Sequence, residues 1–437
     1  MTQPSPARKS RKAPSDEALL TAACAIVQRD GLAGLTLRPL AEALGVSVTV
    51  LSNHYGARID VMAAVCRAAS AQERALLDGW HATLTTLTTS ATPGAAGAPG
   101  TAAAAPLPQA TATPCPLSPI IAAELAEAIL DDLATRQRAV SLLYLEILHA
   151  CSWDATLAPA FATWSQARSA FWQAFAAQAG LSPLLTASGW WQGYVIAELA
   201  YSMALNGQPS YRLLRRLCLR RLCAGGLAAA NDNSDAALFG VLQQQMSYDH
   251  AVPAPAPAAD WSAEAARASG MRLAAQGVNG VTHRAVAADI GIPHTTLSYR
   301  YPTQHELVSA GLESIIAHIL AAMDADDLDT LQRSRSENQG KKLDLARASF
   351  AVALAATRMP ELASRTLSMR SRRGGNLVKV FRKYLPDAQG IDALCAQVVS
   401  LGLLGLTNTE PPGEASEQTV ATAFGAAARW LAQTHSA

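Results

Sequence analysis

Aromatic residues make up only 5% of the chain, and glycine and proline gather in a few stretches instead of recurring every ten residues or so. A sandwich or barrel of many short strands needs that recurrence and is excluded. Charge of one sign is also lacking. With a formal net charge of +1, global electrostatics supply no pull toward nucleic acid, so any such role must rest on local features. Cys24, Cys66, Cys115, Cys151, Cys218, Cys223 and Cys395 are scattered, with no C-x-x-C pair and no histidine spaced to complete a zinc site. Reduced, mostly buried thiols are expected, and no metal. The most hydrophobic stretch, Leu184 to Leu205, carries Gln192 and Glu198, which reads as a buried helix and not a bilayer span. The first dozen residues are polar and basic without an apolar h-region, so a cytoplasmic location is expected. There is no nucleophile elbow, phosphate-cradling glycine loop, metal-ligand cluster or motif-placed carboxylate pair. No enzyme is recognisable, and no cofactor is implied.

What is present is helix-forming sequence. Half of the 437 residues (50%) are hydrophobic, with alanine dominant, and the expected fold class is all-α. The chain is too long for one ordinary core, and an internal repeat divides it. DGLAGLTLRPLAEALGVSVTVLSNHYGARIDV, Asp30 to Val61, aligns without a gap onto QGVNGVTHRAVAADIGIPHTTLSYRYPTQHEL, Gln276 to Leu307. The identities fall on Gly31, Gly34, Thr36, Arg38, Ala41, Gly45, Thr49, Leu51, Ser52 and Tyr55 with their partners. Residues 88–118, rich in Pro, Ala, Gly and Thr, read as a disordered loop. Residues 249–260 alternate Pro and Ala and read as an extended linker.

Each repeat reads as two short helices behind a longer one. Ser15 to Gln28 has apolar residues at helical spacing, and Gly31 stops that helix. Thr36 is placed to cap the second helix, with Pro39 in its first turn. Gly45 ends it in a left-handed turn, Val46 plugs the angle, and Ser47 caps a third helix with Val50 and Leu51 inward. In the second copy Gly291 and Ile292 repeat the turn and Pro293 starts the third helix. The pattern is a helix-turn-helix, whose last helix can enter a major groove about 12 Å wide.

These segments, TLRPLAEALGVSVTVLSNHYGARIDV and THRAVAADIGIPHTTLSYRYPTQHEL, resemble the DNA-binding domain of the tetracycline-repressor family over some 55 residues in each copy. The resemblance implies a sequence-specific transcriptional regulator, a ligand-responsive repressor made of two tandem units. Each unit would have an N-terminal helix-turn-helix domain and a C-terminal helical ligand and dimerisation domain. The implied organisation is a basic arm at 1–14, domains at 15–60 and 61–248, the linker, and domains at 261–306 and 307–437. Carried over onto matching positions, Thr36, Arg38, Ser47, Thr49, His54, Tyr55 and Arg58 fall where such proteins touch phosphates or orient the recognition helix. Thr282, Arg284, Thr295, Arg300 and Tyr301 are their counterparts. Val48 and Asn53 face outward in the first copy, as His294 and Tyr299 do in the second. The family's aromatic after the recognition-helix leucine is Ser52 and Ser298 here, and its lysine opening the next helix is Arg58 and then Gln304. The second copy is therefore expected to bind DNA more weakly. A small-molecule-binding or scaffold protein of the same fold without DNA binding is the alternative, favoured by the near-zero charge of both motifs.

Two heads on one chain would pair as an intramolecular pseudo-dimer on unlike half-sites of a double-stranded DNA operator, with a homodimer as the other arrangement. No membrane partner is expected. The resemblance places the interface on 183–206 with 210–224 and on 389–406 with 415–433, through faces such as Trp191, Val195, Leu199 and Met203. Aromatic residues concentrate in the first unit, where Tyr144, His149, Trp153, Trp164, Trp172 and Trp191 are candidates to line a cavity for a small apolar or aromatic effector. Two arginine-rich clusters, Arg212 to Arg221 and Arg370 to Lys383, read as solvated helix faces.

Overall fold

In the computed structural model, residues 14–90, 117–224, 234–247, 260–324, 343–385 and 391–433 are described. The basic arm, most of the Pro-rich segment and most of the linker lie outside them. Among the described residues the architecture is all-α, without a β-strand. Ser15 caps α1 (Asp16–Asp30) by accepting from the Ala18 N–H, and Gly31 at φ 69° ends it. α2 (Leu37–Ala43) and α3 (Val48–Tyr55) follow. Gly45 turns between them at φ 66°, a region open to glycine without steric cost. Val46 and Leu51 are buried under the turn, and Ser47 caps α3 through the Val50 N–H. Thr36 takes the backbone geometry of a cap, yet its hydroxyl makes no capping bond.

α4 (Arg58–Ser90) carries the chain away from this head and packs along α7 (Ala158–Gln178). The helix therefore continues through 88–90, which sequence placed in the loop. α5 (Pro119–Ala134), α6 (Arg138–Ala150), α8 (Pro183–Ala187), α9 (Trp190–Leu205), α10 (Pro209–Cys223) and α11 (Ser234–Ser247) complete the first half. The second half repeats the head as α12 (Asp260–Gln276), α13 (His283–Asp289) and α14 (His294–Arg300). Asp260, the last residue of the expected linker, already belongs to α12. α15 (Gln304–Asp324), α16 (Leu345–Ala355), α17 (Ala363–Arg372), α18 (Gly375–Tyr384), α19 (Ala393–Thr407) and α20 (Glu414–Gln433) follow.

The two halves join through α9 and α19, the most extensively packed helix pair. α9 is buried at every position except Gln192 and Ala204, so its sequence has no polar stripe to orient it. Three glycines set the contact. A Cβ on Gly193 would fall 2.6 Å from the Leu406 nitrogen, and one on Gly405 would fall 2.6 Å from the Gly193 carbonyl carbon. Backbone therefore lies directly on backbone. Trp190 covers Gly402 and donates its indole N–H to the Val399 carbonyl at 3.3 Å. The interface face of α9 thus runs through Trp190 and Gly193. Trp191, expected there, instead packs inside the first half against Trp172 and Phe175. α10 against α19 and α8 against α20 fill out the junction. The first half shares one continuous apolar cluster with Leu394, Val398, Leu401 and Trp430, whereas the second head has a core of its own with α15 to α17.

Ion pairs lock the same junction. Glu198 and Arg370 are both fully buried and meet at 2.9 Å across the halves. Arg221 reaches Asp392 at 3.0 Å. Within the first half, the fully buried Arg215 holds Glu127 at 2.8 Å. The arginine clusters are therefore not simply solvated faces: Arg215, Arg221, Arg370 and Arg373 are buried. Arg215 and Arg221 share α10 with the exposed Arg212 and Arg216, which hid them from a reading of charge alone.

Candidate functional site

In the first head the outward side of α3 presents Val48, Thr49, Asn53 and His54, all exposed, with Arg58 just beyond. Ser47 is half-buried and its oxygen serves as the cap. Arg38 and Thr36 are exposed at the start of α2, where Arg38 approaches Glu42 at 3.5 Å. Tyr55 is tied inward, its hydroxyl donating to the Pro14 carbonyl at 3.0 Å. That bond anchors α3 to the start of α1 and makes Tyr55 an orienting group.

The second head has the same geometry. Thr282 caps α13 through the Ala285 N–H, and Gly291 turns at φ 69°. His294, Thr295, Arg300 and Arg284 are exposed, and Tyr299 is 92% exposed. So bare an aromatic on an outward helix face has no packing role. Tyr301, carried over as a residue that touches phosphate or orients the recognition helix, is buried with its hydroxyl 3.0 Å from the Ser262 hydroxyl, which suits the orienting role. Gln304, where the first copy has Arg58, donates to the carbonyls of Val281 at 2.9 Å and Val278 at 3.3 Å. Its amide is used to brace α15 against the turn before α13.

The heads meet at a cavity of about 440 Å³. Its walls include the turn after α1 (30–33), the equivalent turn after α12 (276–280), the ends of α6 and α16, and α15. Both turns therefore border one space. Glu146 from α6 joins the pieces, accepting from the Leu32 N–H at 3.2 Å and from Arg358 at 2.5 Å. Two contacts cross between the halves in a paired way. The Trp153 indole abuts Gly277, where a Cβ would fall 2.8 Å from the ring, and the Arg358 guanidinium abuts Gly31, with a Cβ 3.2 Å away. Gly31 and Gly277 sit at φ 69° and 64°, so each serves both as a left-handed helix stop and as a seat for the other half. Their identity in the repeat was visible in the sequence; the second use was not, nor was any role for Arg358.

Of the aromatic candidates, only His149 and Trp153 line this space. This cavity lies between the halves, whereas the clustering of aromatics pointed to the first half. Tyr144 is buried under Arg168, 3.8 Å from its ring centroid. Trp164 donates to Glu73 at 2.8 Å beside a buried Arg168–Glu73 pair, and borders a separate cavity of about 300 Å³ between α4 and α7. Trp172 and Trp191 are fully enclosed in an aromatic stack. Thiol chemistry finds no opening at Cys218 and Cys223. Both are buried, which pushes them up to about 11 and about 12, away from the reactive thiolate.

Burial also pushes His149 down from 6.5 to about 4. An unfolded chain takes up a proton near 6.5 that the folded one refuses, so stability falls as the pH drops from about 6.5 toward 4. The loss approaches 3 kcal/mol, on the order of the shift in pKa. Urea titrations at a series of pH values should show this slope in the wild type and a shallower one in His149→Phe. No helix among the described residues is long and apolar enough to cross a membrane. No family model matches the chain, and no curated protein matches it either.

Proposed function

We propose that this protein is a DNA-binding transcriptional regulator built from two tetracycline-repressor-like units on one chain, acting as an intramolecular pseudo-dimer. The observation that supports the reading is that each head keeps a short exposed helix, α3 and α14, while the turns after α1 and α12 line one shared cavity. Two such helices suit half-sites about one helical turn, ~34–36 Å, apart. Phosphates would be met by Arg38, Arg58, Arg284 and Arg300, and bases by Asn53, Thr49, His294 and Tyr299. The outward residues differ between the copies, which favours unlike half-sites. Gln304, where the first head has Arg58, is occupied internally, so the second head has no cation to offer a phosphate at that position.

Joining the halves through a continuous core removes the need for a second chain. Gel filtration of the full chain should give a 45.7 kDa particle, and a mobility-shift assay with the DNA flanking its own gene should show one protein per site. Asn53→Ala should weaken specific binding by about 1–3 kcal/mol, the worth of a lost base contact. Arg58→Ala should lower the salt slope of binding by about 1. If no duplex from that region is shifted at low salt, the regulator reading fails. A small-molecule-binding protein that has lost DNA binding then takes its place, a reading favoured by the cavity itself.

A further inference from the structure

Asn408 settles the tautomer of His149. The Asn408 amide nitrogen donates to the Leu404 carbonyl at 2.9 Å, which turns its oxygen toward His149 Nδ1 at 3.2 Å. An amide oxygen accepts, so Nδ1 carries the proton and Nε2 is left as an acceptor. Nε2 is buried and has no partner, in a side chain that lines the cavity between the heads. A buried acceptor without a donor is an unmet demand that native cores rarely leave. The surrounding wall supplies what a flat apolar molecule needs. Trp153 stands edge-on to the imidazole at 4.8 Å between centroids, and Leu312 and Leu354 add apolar surface. Glu146 and Arg358 neutralise each other, Asp30 is paired with Arg29 and Asp154 caps the following turn through Thr156, so the acidic groups of the wall are already engaged.

We propose that this cavity binds a neutral, flat aromatic molecule of two or three fused rings carrying one hydroxyl, which donates to His149 Nε2 while its rings lie along Trp153. The volume, about 440 Å³, is within the ~300–1,000 Å³ of ordinary small-molecule sites. Nε2 is buried and Trp153 packs on the same imidazole, so a ligand that reaches Nε2 displaces Trp153, the side chain seated on Gly277 of the second head. Occupancy therefore unseats one of the two cross-contacts that hold the heads at their spacing, and releases DNA. This last coupling rests on the DNA-binding reading above; the site does not. A ligand moves such an equilibrium only through a difference in its contacts with the two states, and Trp153 supplies that difference.

Isothermal calorimetry on the full chain, with 2-naphthol as probe and 2-methoxynaphthalene as its donorless twin, tests the site. The expected result is one 2-naphthol per chain, with the methoxy compound about tenfold weaker for want of the hydrogen bond. His149→Phe should lose about as much while keeping its helical circular dichroism. Ala351→Trp fills the cavity from α16 while leaving His149 in the chain and should abolish binding, which keeps the test decisive if His149→Phe does not fold. No heat of binding from 2-naphthol, equal binding of the two compounds, or unchanged binding in Ala351→Trp overturns the proposal. A mobility shift repeated with saturating 2-naphthol separates the coupling from the site. Loss of the DNA complex supports the coupling, and a complex that survives 2-naphthol overturns it. Absence of any DNA complex without 2-naphthol overturns the regulator reading alone, and calorimetry still decides the site.

Discussion

Gly405→Ala should destabilise the protein by about 2–3 kcal/mol, the usual penalty of overpacking a tight core. The sign is what makes this informative. In an exposed helix interior the same change is favourable by about 1 kcal/mol, because alanine loses less backbone entropy than glycine. At Gly405 the added methyl would meet the Gly193 backbone, with the carbonyl carbon 2.6 Å away and the Ala197 nitrogen at 3.0 Å. Backbone cannot turn aside as a flexible side chain would, so α9 and α19 have to separate and lose contact along their length. Gly79, exposed in the middle of α4 with nothing near its missing Cβ, is the control. Gly79→Ala should stabilise by roughly the propensity difference, about 1 kcal/mol. Guanidinium unfolding of the two variants beside the wild type checks both signs. If Gly405→Ala is as benign as Gly79→Ala, the halves are not held by this crossing.

Arg370→Met should cost about 3–5 kcal/mol, because it strips the partner from a buried carboxylate. Glu198 is wholly buried on α9 and is met by Arg370 at 2.9 Å and by the Tyr211 hydroxyl at 2.9 Å. Burial works against the Arg370 charge, but the facing Glu198 carboxylate more than offsets it and leaves the guanidinium above its ordinary pKa. With Arg370 gone, the wholly buried Glu198 keeps the neutral Tyr211 hydroxyl. The double variant Glu198→Gln with Arg370→Met should recover most of the loss, since replacing a buried pair with neutral groups is often close to neutral. Denaturant midpoints of the two single variants and the double variant make the cycle. A double variant as unstable as Arg370→Met alone would mean that packing around Tyr201 and Cys218, not charge, explains the effect. Because Glu198 and Arg370 come from opposite halves, the same loss should show as an increased tendency of the halves to separate.

How much could be read from the chain alone follows the range of the interactions involved. Gly31, Gly45, Ser47 and Gly291 act within four residues of themselves, and their caps and left-handed turns stand where the sequence put them. The outward faces of α3 and α14 follow from the same short-range periodicity, down to the exposure of Asn53, His294 and Tyr299. The motif position of Tyr55 and Tyr301 left open whether they touch phosphate or orient the recognition helix. Their hydroxyls are spent on Pro14 and Ser262, partners some forty residues away that no local pattern reveals.

An all-helical fold, and a second head whose turn begins at Gln276 and whose short outward helix matches the first, can be read from the residues alone. Those features are dictated by propensity, capping and glycine turns, which need no distant partner. Only the tertiary structure decided which side of α9 meets α19, which arginines are buried, and that Trp153 and Arg358 each sit on the other half's glycine. A helix that is apolar all round offers no polar stripe to orient it. An arginine bound for water and one bound for a buried carboxylate are spelled alike until the fold brings the carboxylate to it.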